Sequence, residues 1–199
     1  MTTSQKPVVA LLVSTTRHAR VGRQLADALL ESIRDEVAAD FRLVDLAEVA
    51  LPWLDEPRPP SAGDYQLEST RAWAREVSSW DAVVVLSAQY NGGYPAPLKN
   101  AVDTVYAEWR DKPTLIGTYG GHRSGGGSSA GQQLRTVFQV TRNRVVEPGF
   151  ALELGGEDYG HDLHLVDARG IVERNRDTVL AAMEALTGTI TQQEDPHHD

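Results

Sequence analysis

Cysteine is absent from all 199 residues. That excludes disulfides, thiolate nucleophiles and cysteine-ligated metals together. Long apolar runs are missing as well, and no stretch approaches the roughly 20 residues that a membrane-spanning helix needs. Met1 to Lys6 is short and polar and runs straight into the first apolar segment, leaving no room for a signal peptide's apolar region. Positive charge is scarce: 19 Lys and Arg stand against 28 Asp and Glu, a net charge of −9. Nucleic acid and an anionic membrane surface would both be repelled, so neither is expected as a partner. A phosphate-bearing ligand must then be held by local positive potential. There is no internal repeat and no low-complexity linker. The expectation is one cytoplasmic domain over residues 1–187, followed by a disordered polar tail over 188–199.

What the chain has is organised around residues 82–103. Ala82-Val83-Val84-Val85-Leu86 is a short apolar run suited to a strand covered on both faces. Gln89-Tyr90-Asn91-Gly92-Gly93-Tyr94-Pro95 follows as a polar turn, and Leu98, Ala101, Val102 and Val105 then repeat at helical spacing, with Pro97 in the helix's first turn. Two aromatic rings and two amides beside flexible glycines, at the carboxyl end of a central strand, suit a flat ligand with hydrogen-bonding edges.

Val8 to Val13 reads as the first strand, with Leu25, Ala28, Leu29 and Ile33 marking a helix that extends to about Ala38. Between them lies Ser14-Thr15-Thr16-Arg17-His18-Ala19-Arg20-Val21-Gly22. This loop has neither the Walker A lysine nor the G-x-G-x-x-G of dinucleotide folds. Hydroxyls and two arginines at a helix start suit a terminal phosphomonoester. Such a turn is commonly just a helix cap; its pairing with the Gln89 loop favours phosphate. Phe41 to Leu46 reads as an edge-proximal strand, and the missing glycines argue against Asp45 as a ribose ligand. Pro-rich residues 47–64 form a rim loop in which Trp53 is read as a packing anchor.

Thr114 to Tyr119 is the fourth strand, and Gly120-Gly121-His122-Arg123-Ser124-Gly125-Gly126-Gly127 leads to a helix marked by Ala130, Leu134, Val137 and Phe138. Bare backbone there lets a planar ring approach, although a glycine run serves equally as a solvent loop. Val145-Val146 and Phe150 to Leu154 suggest a fifth strand broken at Pro148-Gly149, and Val172, Val179, Leu180, Met183 and Leu186 mark a last helix. His161 and His164 with nearby carboxylates read as a solvated loop rather than a metal site, and no metal is expected. Alternating strands and helices predict an α/β fold with a parallel sheet and right-handed crossovers.

Gln89 to Pro95 followed by Leu98-Lys99-Asn100-Ala101-Val102-Asp103 resembles the signature of the NADPH-dependent FMN reductase family, although the family commonly has Pro-Glu where this chain has Ala88-Gln89. Ser14 to Gly22 is similar to that family's phosphate loop, and Glu108-Trp109-Arg110, Lys112-Pro113 and Tyr119-Gly120-Gly121 continue the likeness. The resemblance implies a flavodoxin-like doubly wound five-stranded parallel sheet of order 2-1-3-4-5 with helices on both faces. It implies FMN as cofactor and NADPH or NADH as co-substrate, with a quinone, flavin, azo dye or metal oxyanion as the small-molecule acceptor. The FMN phosphate is then expected on Ser14, Thr16, Arg17, Arg20, Val21 and Gly22, and the ring against Gln89, Tyr90, Asn91, Gly92, Tyr119, Gly120, Gly121 and His122. The flavin carries the chemistry, so no catalytic side chain is expected. His122 and Arg123 are candidates for meeting a 2′-phosphate. A homodimer or homotetramer is implied, with Trp53, Tyr94, Tyr106 and Trp109 as candidate contacts. The competing readings are a non-enzymatic flavodoxin-like electron carrier or flavin-binding module, and a flavin-free scaffold.

Overall fold

The computed structural model describes residues 6–194. Five strands, β1 (Val8–Val13), β2 (Asp40–Asp45), β3 (Ala82–Ala88), β4 (Pro113–Gly121) and β5 (Arg144–Leu154), form one sheet of order β2-β1-β3-β4-β5. All four pairings are parallel. The helices are α1 (Val21–Ile33), the short α2 (Leu46–Val49), α3 (Glu68–Ser78), α4 (Ala96–Thr104), α5 (Ser128–Val140), α6 (Ala168–Arg174) and α7 (Arg176–Glu194).

Period-two alternation sorts each strand's side chains between two apolar layers. Val9, Leu11 and Val13 of β1 with Val84 and Leu86 of β3 face α1, α6 and α7. Ala10, Leu12, Val83 and Val85 face α3, α4 and α5. Because both faces are covered, the strands read as continuous apolar runs rather than as an alternation. The second layer contains a chain of rings, Trp73 to Trp80 at 5.6 Å, Trp80 to Trp109 at 6.2 Å and Trp109 to Phe138 at 6.3 Å between centroids. Their indole N–H groups stay satisfied: Trp73 donates to the Ala101 carbonyl at 2.8 Å and Trp109 to that of Val102 at 3.0 Å.

Several expectations need correction. The fifth strand is continuous, not broken: its register against β4 shifts between Leu115 and Gly117, so that Val146 pairs with Leu115 and Phe150 with Gly117. The extra residues of β5, Pro148 and Gly149 among them, are absorbed as a bulge. Gly117 is required there, since a Cβ would stand 2.2 Å from the Phe150 ring. The first helix stops at Ile33, short of Ala38. The last helix is two helices separated at Asn175. The polar tail expected from residue 188 is helical through Glu194, and residues 195–199 lie outside the described residues. Trp109, offered as a dimer contact, is fully buried, whereas Trp53, read as a packing anchor, is 72% exposed. Among the described residues no helix is long and apolar enough to cross a membrane.

Candidate functional site

The β1–α1, β3–α4 and β4–α5 loops leave the sheet at the carboxyl ends of strands β1, β3 and β4, where the order turns back from β1 to β3. That is the switch point at which a doubly wound sheet opens a crevice. A cleft of about 330 Å³ lies there, lined by Thr15, Arg17, Ala19, Arg20 and Val21 from the first loop, Ala88 to Tyr90 from the second, and Tyr119 to Gly121 from the third. A fourth wall, Tyr159 and Leu163, comes from the segment after β5.

The first loop is poor in internal bonds. Among the described residues, none of the backbone N–H groups from Thr15 to Ala19 donates to another backbone carbonyl. Ser14 is fully buried, and its hydroxyl has no hydrogen-bond partner among the described residues. Arg20 initiates α1 in a left-handed conformation, φ 50°, which a side chain adopts only where surrounding contacts hold it. Those contacts are present: its guanidinium donates to the Thr15 carbonyl at 3.3 Å and pairs with Asp45, whose carboxylate is wholly buried. Asp45 also caps α2 through the Ala47 amide at 3.0 Å and lies 3.4 Å from Arg23. Arg23 is further bound to Glu48 at 2.6 Å and Asp27 at 3.1 Å. Asp45 is therefore a structural anchor of the loop. Arg17 makes no ion pair among the described residues; its guanidinium sits 5.8 Å from the centre of the Tyr90 ring.

In the second loop, Tyr90 and Gly93 exchange backbone hydrogen bonds of 2.8 and 3.0 Å around Asn91 (φ 52°) and Gly92 (φ 85°). Two central residues at positive φ make a type I′ turn, for which Asn-Gly is the preferred pair. The Gly92 carbonyl is pinned by Ser129 and Gln133 of α5, each at 2.8 Å. The Gln89 side chain accepts the Ala130 amide at 3.1 Å, tying the loop to the first turn of α5.

In the third loop, Tyr119 is 4% exposed and its hydroxyl lacks a hydrogen-bond partner among the described residues. Burial pushes its pKa upward, so it remains a neutral phenol able to donate. The hydroxyl lies over Gly22, where a Cβ would come within 2.6 Å of it. Thus Gly22 contributes space beneath the phenol rather than a ligand contact.

Of the fourteen expected site residues, Arg17, Arg20, Val21, Gln89, Tyr90, Tyr119, Gly120 and Gly121 line the cleft. Ser14 and Gly22 lie buried beside it. Thr16 faces a neighbouring depression with Ala47, Trp53 and Asn100, and Asn91 and Gly92 are spent on the turn. His122 is exposed and its Nδ1–H donates to the Glu153 carboxylate at 2.9 Å, which raises its pKa; it does not line the cleft. Sequence reasoning missed Tyr159 and Leu163, which fall in the stretch read as a solvated loop. A tyrosine in an otherwise polar, turn-rich segment was the available signal. In that segment His164 lies 3.2 Å from Asp162, and the described residues hold no cluster of three or more metal-ligating side chains.

Residues 7–157 match the family model of NADPH-dependent FMN reductases. The chain is 38% identical over 150 residues to an NAD(P)H-dependent FMN reductase of Schizosaccharomyces pombe, covering 74% of each protein. It is 38% identical over 149 residues to an NAD(P)H-dependent FMN reductase of Saccharomyces cerevisiae, covering 69% of this chain and 76% of that one. In fold it is similar to FerB, a flavoenzyme NAD(P)H:(acceptor) oxidoreductase from Paracoccus denitrificans, with a TM-score of 0.67 at 18% identity over 94% of this chain and 98% of the other.

Proposed function

The chain belongs to the NADPH-dependent FMN reductase family, and from that premise we propose that the cleft described above is where it binds FMN, the route for hydride from NADPH or NADH to a second, small-molecule acceptor. One observation carries the placement: two of the four buried side-chain atoms without a hydrogen-bond partner among the described residues, and a run of amides without backbone acceptors, lie at a single cleft. Among the described residues, the buried Ser14 and Tyr119 hydroxyls lack hydrogen-bond partners, and the amides of Thr15 to Ala19 lack backbone acceptors. A buried donor without a partner costs about 1–3 kcal/mol, and such groups fit a terminal phosphate.

The protein's own residues do the binding and orienting. Arg17, free of carboxylates, supplies the charge for a phosphate, while Arg20 is already committed to Asp45 and holds the helix start in place. The backbone of Gly120 and Gly121 and the Tyr90 side chain line the cleft where a planar ring would lie. FMN held there would supply the redox chemistry between a nicotinamide and the acceptor, while these residues bind and orient it. No general base is needed. The acceptor is one of a quinone, a free flavin, an azo dye or a metal oxyanion. Arg123, exposed on the rim, favours NADPH over NADH through the 2′-phosphate; equal catalytic efficiency with both would overturn that.

The chain acts as a single cytoplasmic FMN-binding domain, α7 included through Glu194, that assembles as a homodimer or homotetramer. Trp53, exposed, and Tyr94 and Tyr106, half-buried, are the proposed contacts; a monomeric mass in light scattering would contradict this. The function itself is tested anaerobically: load with FMN, add NADPH, and follow the oxidised-flavin absorbance. Rapid bleaching is expected. FMN that binds without bleaching with either nicotinamide would instead favour an electron carrier.

A further inference from the structure

Residues 159–165 form a small hairpin that is more ordered than its composition suggests. Tyr159 and Leu165 are bridged, the Gly160 amide donates to the His164 carbonyl at 2.8 Å, and the Leu163 amide donates to the Gly160 carbonyl at 3.0 Å. The Val166 amide closes the base on the Asp158 carbonyl at 2.9 Å. This framework holds Leu163 at φ 64°, a conformation that a leucine avoids unless its surroundings impose it. It also leaves the Leu163 side chain 56% exposed while lining the cleft.

The hairpin is tied to the first loop by one side chain. Gln24 donates to the Ala19 carbonyl at 2.8 Å and accepts the Leu165 amide at 3.0 Å. Gln24 is outside the cleft lining, so it is a positioning residue. Gln24 thereby brings Leu165 beside Ala19, whose own amide has no backbone acceptor among the described residues, and Tyr159 and Leu163 line the same cleft as Ala19, Arg20 and Val21. The charge of Arg17 also reaches the Tyr159 phenol.

We infer that this hairpin, clasped to the first loop by Gln24, closes the phosphate end of the cleft and selects a flavin mononucleotide against a flavin dinucleotide. The inference rests on the placement of FMN proposed above. The adenylate of a dinucleotide extends from the flavin's terminal phosphate, and it would have to leave past Leu163 and Tyr159. An obstacle to the larger ligand is a means of discrimination that costs the smaller one nothing. Riboflavin, which ends before the phosphate, is the internal control.

The test is fluorescence titration of the apoprotein with riboflavin, FMN and FAD, for the wild type, Gln24→Ala and Leu163→Gly. The wild type is expected to bind FMN at least ~100-fold more tightly than FAD, and each variant to lower that ratio by ~10-fold, the scale of one or two lost hydrogen bonds or a removed obstacle. Riboflavin affinity should stay within about twofold across all three proteins, a result that a general loss of structure would not give. Glycine accepts φ 64° freely, so Leu163→Gly keeps the fold, and the melting temperature of each apoprotein verifies this. Equal affinity of the wild type for FMN and FAD overturns the inference, as does an unchanged ratio in both folded variants. If the wild type binds none of the three flavins, the FMN placement itself fails and the inference falls with it.

Discussion

The two ends of the sheet treat polar groups in opposite ways. At the amino ends of the strands several of them are paired within the protein. Val8 and Asp81 are joined twice, by the Val8 amide to the Asp81 carboxylate at 2.7 Å and by the Asp81 amide to the Val8 carbonyl at 2.8 Å. Asn143 donates to Thr114 at 2.8 Å and accepts from Thr141 at 2.6 Å, all three side chains buried. Lys112, its pKa lowered by burial, donates to the Trp80 carbonyl. At the carboxyl ends, among the described residues, the buried Ser14 and Tyr119 hydroxyls have no hydrogen-bond partner and the amides of Thr15 to Ala19 have no backbone acceptor. Pairing costs nothing at an end that only has to be stable; unpaired groups persist where a ligand supplies the missing partner.

The contrast can be broken at several points. The largest effect belongs to the aromatic chain, at the closed end. Trp109→Ala should cost about 3–5 kcal/mol of stability, the usual range for emptying a buried tryptophan site, with FMN affinity of the folded fraction unchanged. Chemical denaturation alongside flavin titration checks both halves. Next comes Gly22→Ala at the open end. Its new methyl would lie 2.6 Å from the Tyr119 hydroxyl and 3.1 Å from the Thr15 methyl, so overpacking should cost about 1–3 kcal/mol and flavin affinity should fall with it. Asn143→Ala removes two buried hydrogen bonds, while the Thr114 and Thr141 hydroxyls keep the Lys112, Val137 and Phe138 carbonyls as acceptors, and should cost about 0.5–1.5 kcal/mol per bond lost while leaving flavin binding alone.

The smallest effect is electrostatic. Glu153 raises the His122 pKa, so this pair's contribution is fully present below the ordinary histidine value of 6.5 and is lost as pH rises through the higher folded value. Both groups are exposed, and the slope should be slight. His122→Gln should remove it from a plot of melting temperature against pH. Arg135 and Glu147 act in the other direction: the carboxylate's pKa is lowered by the guanidinium, so their contribution is lost as pH falls through that lowered value.

Much of the scaffold was legible in the residues. The runs Val8 to Val13 and Ala82 to Ala88 could only be strands covered on both faces, and they are. The crevice followed from three polar loops after three such strands. The departures share one physical cause, that tertiary contacts decide what local pattern leaves open. Pro148-Gly149 reads as a strand end until a partner strand absorbs it as a bulge. Asn91-Gly92 reads as a ligand loop because its turn chemistry and its polarity are carried by the same residues. Tyr159 and Leu163 belong to the cleft through Gln24, whose glutamine carries no mark of that role in sequence. Asp45 is a buried anchor because two arginines of α1 and its N-terminal turn reach it across the sheet edge.

The most direct test of the open-end account is Tyr119→Phe, which deletes a buried hydroxyl that lies beside Thr15 and makes no hydrogen bond of normal geometry among the described residues. The apoprotein should be at least as stable as the wild type, since removing a group without a partner relieves its desolvation cost, while the FMN dissociation constant should rise by about tenfold, the worth of one hydrogen bond to a charged ligand. An apoprotein that is clearly destabilised and binds FMN as well as before would contradict the account, because the hydroxyl would then serve the fold and not the ligand.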